Sequence, residues 1–285
     1  MKKIFTILFF ALLGLNNTNA ATFSSVASGT WSAPATWTVT GVDADGIPDL
    51  DDDVTINGGH IVTLTSSSSF KSITINSSGT LAGNGQLINI YGNFTNNGSV
   101  TGTLPCRFFA SGVFSSSSIY TNAGDWAFYG SISYTIASGT SINKINYFNL
   151  NNTAIVTNLG SVQLTGSVNF WNTSQWINST NSSLRVGQSF GGAASGGLDA
   201  SSSGNTVIYN SGSAAISVYP TTYYNLSFTG ASFWKTVQAD LTILNNFTLS
   251  SYSFNLNNFN MTVGGNWNNT ANFTIPNQGV ITFNG

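Results

Sequence analysis

Two stretches of this chain repeat one another: residues 164–190 read LTGSVNFWNTSQWINSTNSSLRVGQSF, and residues 241–267 read LTILNNFTLSSYSFNLNNFNMTVGGNW. They align without gaps, with Leu164 matched to Leu241 and Phe190 matched to Trp267. A shorter relative, ITINSSGTLAGNGQLINIYGNF, occupies residues 73–94. Self-similarity at a fixed period is typical of repeat architectures, in which each unit packs on the next.

Within these units, apolar residues alternate with polar ones over four to six positions, as in Ile73–Ile75 and Leu241–Ile243. Alternation at period two predicts short strands with one buried face. We therefore predict an all-β right-handed parallel β-helix of about ten to twelve turns and roughly 50 Å, whose Asn-rich corners stack into ladders. The alternative is a tandem array of small β-sandwich domains, each about as long as the repeat.

The composition supports a folded, strand-built chain. Of 285 residues, 41% are apolar, 13% aromatic and 6% charged, and there are 36 Asn but no Glu. Ser, Thr and Asn favour strands and turns over helix interiors. Few Lys or Arg are present to neutralise phosphates, so we expect no nucleic-acid partner.

The first residues have the pattern of a signal peptide. Lys2 and Lys3 precede a short apolar run, and residues 1–20 end at Ala20, a small residue suited to cleavage. We expect an exported protein, extracellular or at the cell surface, with no transmembrane segment in the mature chain. Residues 21–66 are interpreted as an N-terminal cap and acidic loop region, and residues 67–285 as β-helix repeats. Cys106, the one cysteine, is interpreted as a buried core residue.

An acidic loop is the one local concentration of charge. Six of the nine acidic residues lie between positions 43 and 53, in DADGIPDLDDD. Crowded carboxylates repel one another, and hard oxygen ligands suit calcium. The segment from Asp43 to Asp49 resembles the D-x-D-G-x-x-D loops of thrombospondin type 3 and other extracellular calcium repeats. The predicted calcium ligands are Asp43, Asp45, Asp49, Asp51 and Asp53; a solvated acidic turn is the alternative.

Catalytic residues are harder to find. Outside the acidic loop the carboxylates are Asp125, Asp199 and Asp240, which are far apart in the sequence, and His60 is the single histidine. Glycosidases and lyases need ionisable groups that converge. We interpret His60 as a turn or strand-edge residue, and we predict that the chain is not an enzyme.

Aromatic side chains are the remaining candidates for ligand contact. The chain has 7 Trp, 10 Tyr and 20 Phe, most of which we expect inside the turns. Trp171 and Trp176 interrupt the alternation and have no aromatic counterpart at Thr248 and Ser253. They are predicted to form an exposed pair that stacks on sugar rings.

A family resemblance adds to this interpretation. The segment GTWSAPATW at residues 29–37, followed by GIP at 46–48 and DDVTI at 52–56, is similar to the start of repeat-rich secreted surface proteins common in Bacteroidetes. The later units resemble the right-handed β-helix repeats of those proteins. The resemblance implies export by a type IX secretion system. No sorting domain is recognisable, so either the chain is a fragment of a longer protein or it is exported by another route. The interrupted last unit favours the fragment.

Together these observations predict a non-enzymatic exported surface or matrix protein. Its rigid scaffold would serve adhesion or contact with surface glycans or matrix components, with calcium as the possible cofactor. The alternative is a carbohydrate-active β-helix enzyme, a lyase or hydrolase, whose catalytic part is missing or unrecognised. An ice-binding face would need repeated ranks of Thr-x-Thr, which the sequence has only in isolated places such as Thr38 to Thr40.

Overall fold

A computed structural model describes residues 20–192, 196–212, 215–230, 234–250, 254–271 and 279–285. In these ranges the chain winds through about 11 turns of a β-solenoid with three faces. The one helix in them is a single 3-10 turn, Pro34–Thr36. Within these ranges the structure has no helical segment with the length and hydropathy of a membrane span. Apart from Ala20, the predicted signal peptide lies outside the described residues.

Each face is a stack of short strands contributed by successive turns. The first face contains Thr22–Ser25, Asp53–Ile56, Ser72–Ile75, Phe94–Asn96, Gly112–Ser116, Ser133–Ile136, Ile155–Asn158, Gln175–Asn178, Gly197–Asp199, Thr222–Tyr223, Leu241–Ile243, Met261–Val263 and Ile281–Phe283. The second contains Gly29–Thr30, Ile61–Thr63, Thr80–Ala82, Ser99–Thr101, Ile119–Thr121, Ser141–Ile145, Ser161–Leu164, Ser183–Val186, Thr206–Asn210, Asn225–Thr229, Phe247–Leu249 and Trp267–Asn269. The third contains Ser68–Phe70, Ile88–Ile90, Cys106–Phe108, Trp126–Phe128, Phe148–Leu150, Val168–Phe170, Ile216–Val218, Lys235–Val237 and Phe254–Asn255.

Neighbouring strands on each face run parallel. Val54 pairs with Ile73, Ile73 with Phe94 and Phe94 with Phe114, so each of these steps along the sequence is one complete turn. This confirms the predicted parallel β-helix, and the tandem-sandwich alternative is wrong. At about 4.8 Å per turn, 11 turns make a rod of roughly 50 Å.

The sequence repeat does not coincide with the structural turn. Leu164 ends the second-face strand Ser161–Leu164, whereas its counterpart Leu241 begins the first-face strand Leu241–Ile243. Successive pairings place Asn225–Thr229 three turns above Ser161–Leu164. From Leu164 to Leu241 the chain therefore makes three complete turns and then passes on from the second face, through the third, to the first. Matched residues belong to one rod but do not lie directly above one another.

The interior is apolar and rich in aromatic rings, because alternate residues of each strand point inward. Trp126 lies at its centre, with its ring centroid 5.1 Å from that of Phe108, 4.9 Å from Phe114 and 5.2 Å from Phe148. Cys106, which lies in the preceding turn and pairs with Trp126, is buried, as predicted. Burial raises the pKa of its thiol, which keeps it protonated.

Asparagine ladders join consecutive turns, as the sequence predicted. Nδ2 of Asn169 donates to Oδ1 of Asn149 at 2.9 Å, and Nδ2 of Asn245 donates to Oδ1 of Asn225 at 3.0 Å. At an exposed corner, Asn152 has a φ of 58°, a left-handed conformation that asparagine tolerates better than most residues. Asn149 and Asn169 lie in the middle of third-face strands, whereas Asn225 and Asn245 lie near the start of second-face strands, and each bond links one turn to the next.

A single antiparallel strand covers the start of the rod. Trp37–Thr40 pairs antiparallel with Thr22–Ser25 at the outer edge of the first face. Trp31 packs beside it, with its ring centroid 5.3 Å from that of Trp37. The predicted region 21–66 thus holds both this cap and the first strands of the solenoid. The acidic loop runs from the cap to Asp53–Ile56.

Candidate functional site

The acidic loop is organised around Asp52, which is 2% exposed. Its Oδ1 accepts the backbone N–H of Ala21 and its Oδ2 accepts that of Asp49, both at 2.8 Å. The carboxylate therefore ties the loop to the residue that precedes the first strand. Since two N–H groups point at it, Asp52 has a structural role whether or not a cation is bound.

Three carboxylates converge in this loop: those of Asp43, Asp49 and Asp52, whose closest oxygens all lie within 4.8 Å of one another. Asp43 and Asp49 were among the predicted calcium ligands. Asp52 was missed because the sequence does not show which of three consecutive Asp residues turns inward. The path of the loop determines which carboxylate is buried.

The other three predicted ligands lie outside this group. Oδ1 of Asp45 accepts the backbone N–H of Ile47 at 3.0 Å, which stabilises the loop locally. Asp53 forms an exposed ion pair with Lys71 at 3.2 Å. Asp51 donates its backbone N–H to Oδ1 of Asp49 at 3.3 Å.

Burial of the Asp52 carboxyl makes it harder to ionise. Burial raises its pKa above the ordinary 3.8, and the charges of Asp49 and Asp43 raise it further. The hydrogen bonds from Asp49 and Ala21 act in the opposite direction. A divalent cation beside the three carboxylates would relieve the repulsion among them. Calcium binding remains a prediction.

His60 lies in the turn before Ile61–Thr63, as predicted. Its Nδ1 hydrogen-bonds with Oγ of Ser25 at 2.8 Å. The same Oγ accepts the backbone N–H of Asn57 at 2.9 Å. These contacts connect the first two turns, which supports a structural role for this histidine.

The predicted exposed tryptophan pair does not exist. Trp171 is 44% exposed, but Trp176 is 0% exposed and its ring centroid lies 5.3 Å from that of Phe148 in the core. Trp176 occupies an inward position of Gln175–Asn178, where the alternation of the strand places it. The prediction that Trp176 contacts a ligand from an exposed face is therefore wrong.

The structure reveals an aromatic corner that sequence reasoning missed. Tyr91, Phe109 and Tyr129 each follow a third-face strand directly, and their rings stack with centroids 5.2 Å apart at both steps. The next two turns place Asn151 and Trp171 at the same position. We call these five residues the aromatic corner. What the five residues share is their position directly after a third-face strand. This position can be recognised only when the boundaries of each turn are known.

Charged groups are sparse on the rest of the rod. A shallow depression of about 340 Å³ on the second face is lined by hydroxyl groups, among them those of Ser141, Ser161 and Ser183. Asp199 lies on the first face and accepts the N–H and the hydroxyl of Ser201. Asp240 accepts the N–H of Asn260. Among the described residues, only the acidic loop brings three potential metal ligands together.

Comparison with known proteins gives no relative: no family model, curated protein or solved structure matches this chain. Functional inference therefore depends on the fold and on the geometry of its surface.

Proposed function

We propose that the chain is a non-enzymatic, exported surface or matrix protein of the kind found in Bacteroidetes. Its solenoid would act as a rigid spacer that contacts glycans or matrix components along its length. The observation that carries this proposal is the rod itself, about 11 stacked turns with outer faces built from hydroxyl and amide groups.

Multivalency supplies the mechanism. A solenoid presents equivalent outer positions once per turn, so a polymer that lies along it can make many weak contacts at the same time. Each contact alone is weak, but simultaneous contacts raise the overall affinity without covalent chemistry. A stiff rod also keeps the contacts in a fixed spacing, which lowers the ordering cost of binding.

The placement of ionisable groups favours this proposal over a lyase or hydrolase. Such enzymes hold at least two ionisable groups around one bond. Asp125, Asp199 and Asp240 belong to different turns, and the three converging carboxylates lie in the N-terminal loop that ties the cap to the first strand.

The test combines binding and turnover on the same materials. Purified protein is applied to a glycan array and to matrix polysaccharides, and each bound polymer is assayed for new reducing ends and for unsaturated products. Binding without product supports the proposal. Released product would make the chain an enzyme, and the absence of binding to any glycan or matrix component would refute the contact function. Detection in the medium or on intact cells tests export.

A further inference from the structure

Three rings of the aromatic corner, those of Tyr91, Phe109 and Tyr129, stack in consecutive turns, and the next turn interrupts the stack. The N–H of Phe109 donates to the carbonyl of Ile90, and that of Tyr129 to Phe108. Trp171 makes the equivalent bond to Leu150. These bonds place the corner residues at one structural position in successive turns. At the turn between Tyr129 and Trp171, that position holds Asn151 rather than an aromatic ring.

The distance between the corner positions of Tyr129 and Trp171 suits the insertion of one flat ring. Two turns separate Tyr129 from Trp171, which corresponds to about 10 Å along the rod. A ring midway between them would lie about 5 Å from each. The stacked rings of the aromatic corner have the same separation, since the centroids of Phe109 and Tyr129 are 5.2 Å apart.

The side chain of Asn151 is half-buried and bonds to the backbone. Its Nδ2 donates to the carbonyl of Phe128 at 3.2 Å and lies 3.4 Å from that of Asn149, so the carboxamide folds back onto the backbone. None of the hydrogen bonds described for this part of the chain uses its Oδ1. The amide oxygen can therefore accept a bond from a hydroxyl group. Trp171, one turn above, has an exposed side chain.

A positive charge lies beside the same stack. The guanidinium carbon of Arg107 is 6.0 Å from the ring centroid of Tyr129, and the side chain is exposed. Within the described ranges the one ion pair joins Lys71 to Asp53. Arg107 thus has no carboxylate partner in this part of the chain, and it would complement an anionic ligand.

We propose that the aromatic corner binds an anionic polysaccharide, with one pyranose ring stacked between Tyr129 and Trp171 at the level of Asn151. The apolar C–H faces of the sugar contact the two rings, and a hydroxyl donates to Oδ1 of Asn151. Arg107 pairs with the carboxylate of a neighbouring uronate in the same polymer. This inference depends on the proposed glycan contact and names its chemical class and its site.

The binding experiment uses three uronate polymers, polygalacturonate, alginate and hyaluronate, with neutral galactan for comparison. Affinity is measured by affinity electrophoresis and calorimetry on the whole protein. Trp171→Ala should weaken uronate binding about tenfold, because one stacked face is lost. Trp234→Ala is the matched control, since Trp234 is 52% exposed but lies away from the corner, and it should leave the affinity unchanged.

Two further variants separate stacking from charge. Asn151→Tyr places a ring at the interrupted step, so it should abolish binding while the melting temperature stays the same or rises. Arg107→Gln should weaken binding to the uronates and leave binding to neutral glycans unchanged.

Three outcomes would overturn the inference. The first is that none of the three uronates binds while neutral glycans do. The second is uronate binding that survives both Trp171→Ala and Asn151→Tyr, which would place the ligand elsewhere on the rod and leave the proposed function intact. The third is that the wild type binds no glycan or matrix component, in which case the proposed function fails as well.

Discussion

Asn158 and Asn178 form a hydrogen bond inside the solenoid, from Nδ2 of Asn158 to Oδ1 of Asn178 at 2.8 Å, and both side chains are fully buried. Asn178 continues the ladder, because its Nδ2 donates to Oδ1 of Asn205 at 3.3 Å. Three successive turns are thus joined by amides that water does not reach. Buried amides of this kind fix the register of neighbouring strands, since a shifted turn would leave them unpaired.

Asn178→Ala should therefore lower the free energy of unfolding by about 1–3 kcal/mol, the usual penalty for leaving a buried polar partner unsatisfied. The measurement is urea denaturation followed by circular dichroism. Ser161→Ala is the control: Ser161 hydrogen-bonds with Ser183 at 2.8 Å on the exposed surface, and its loss should cost less than about 0.5 kcal/mol. Equal effects of the two substitutions would contradict the role assigned to the buried ladder.

The two tryptophans that the sequence paired should respond very differently to truncation. Trp176→Ala removes a fully buried ring and should cost about 3–5 kcal/mol. Trp171→Ala alters an exposed corner and should change the unfolding free energy by about 0.5 kcal/mol or less. Urea denaturation of both variants checks this. A stable Trp176→Ala variant would show that the ring is not part of the core.

Asp52 should give the stability a pH dependence of defined sign. Its pKa in the folded protein is raised above 3.8, chiefly by burial, so the folded state binds the proton more tightly than the unfolded chain does. The contribution of this group is therefore largest below pH 3.8 and is lost as the pH rises through the interval between 3.8 and the raised value.

The comparison of wild type with Asp52→Asn isolates this effect, because the amide does not titrate. Unfolding free energies are measured in calcium-free buffer from about pH 3 to pH 6. The wild-type value minus the variant value should decrease as the pH rises. An increase over that range would mean that the hydrogen bonds from Ala21 and Asp49 outweigh burial.

Calcium should stabilise the protein if the acidic loop binds it. A ligand that binds only the folded state at 100 times its Kd adds about 2.7 kcal/mol, which calorimetry detects as a higher melting temperature. Asp43→Asn and Asp49→Asn should remove this increase. Asp51→Asn is the matched control, because Asp51 lies in the same loop but outside the converging group. An unchanged wild-type melting temperature after chelation would rule out calcium at this site.

Much of the architecture was predictable because a solenoid is specified locally. Alternation in segments such as Ile73–Ile75 predicted strands, and Asn-rich corners predicted amide bonds between turns such as that from Asn245 to Asn225. The candidate sites were less predictable. Asp52 was left out of the predicted ligands and Trp176 was placed on the surface, because the environments of both depend on residues in other turns.

Sequence alone was enough to predict an all-β chain, because period-two alternation, turn-forming Asn and the lack of Glu favour strands over helices. The choice between a solenoid and tandem β-sandwiches was made by the parallel pairing of successive strands. Which residues meet on the surface depends on the tertiary structure. The sequence repeat is not a whole number of turns, so it does not reveal the face on which a residue lies. Tyr129, Asn151 and Trp171 share a corner because one turn of the chain leads from each of them to the next, and the length of a turn is set by how it packs on the previous one.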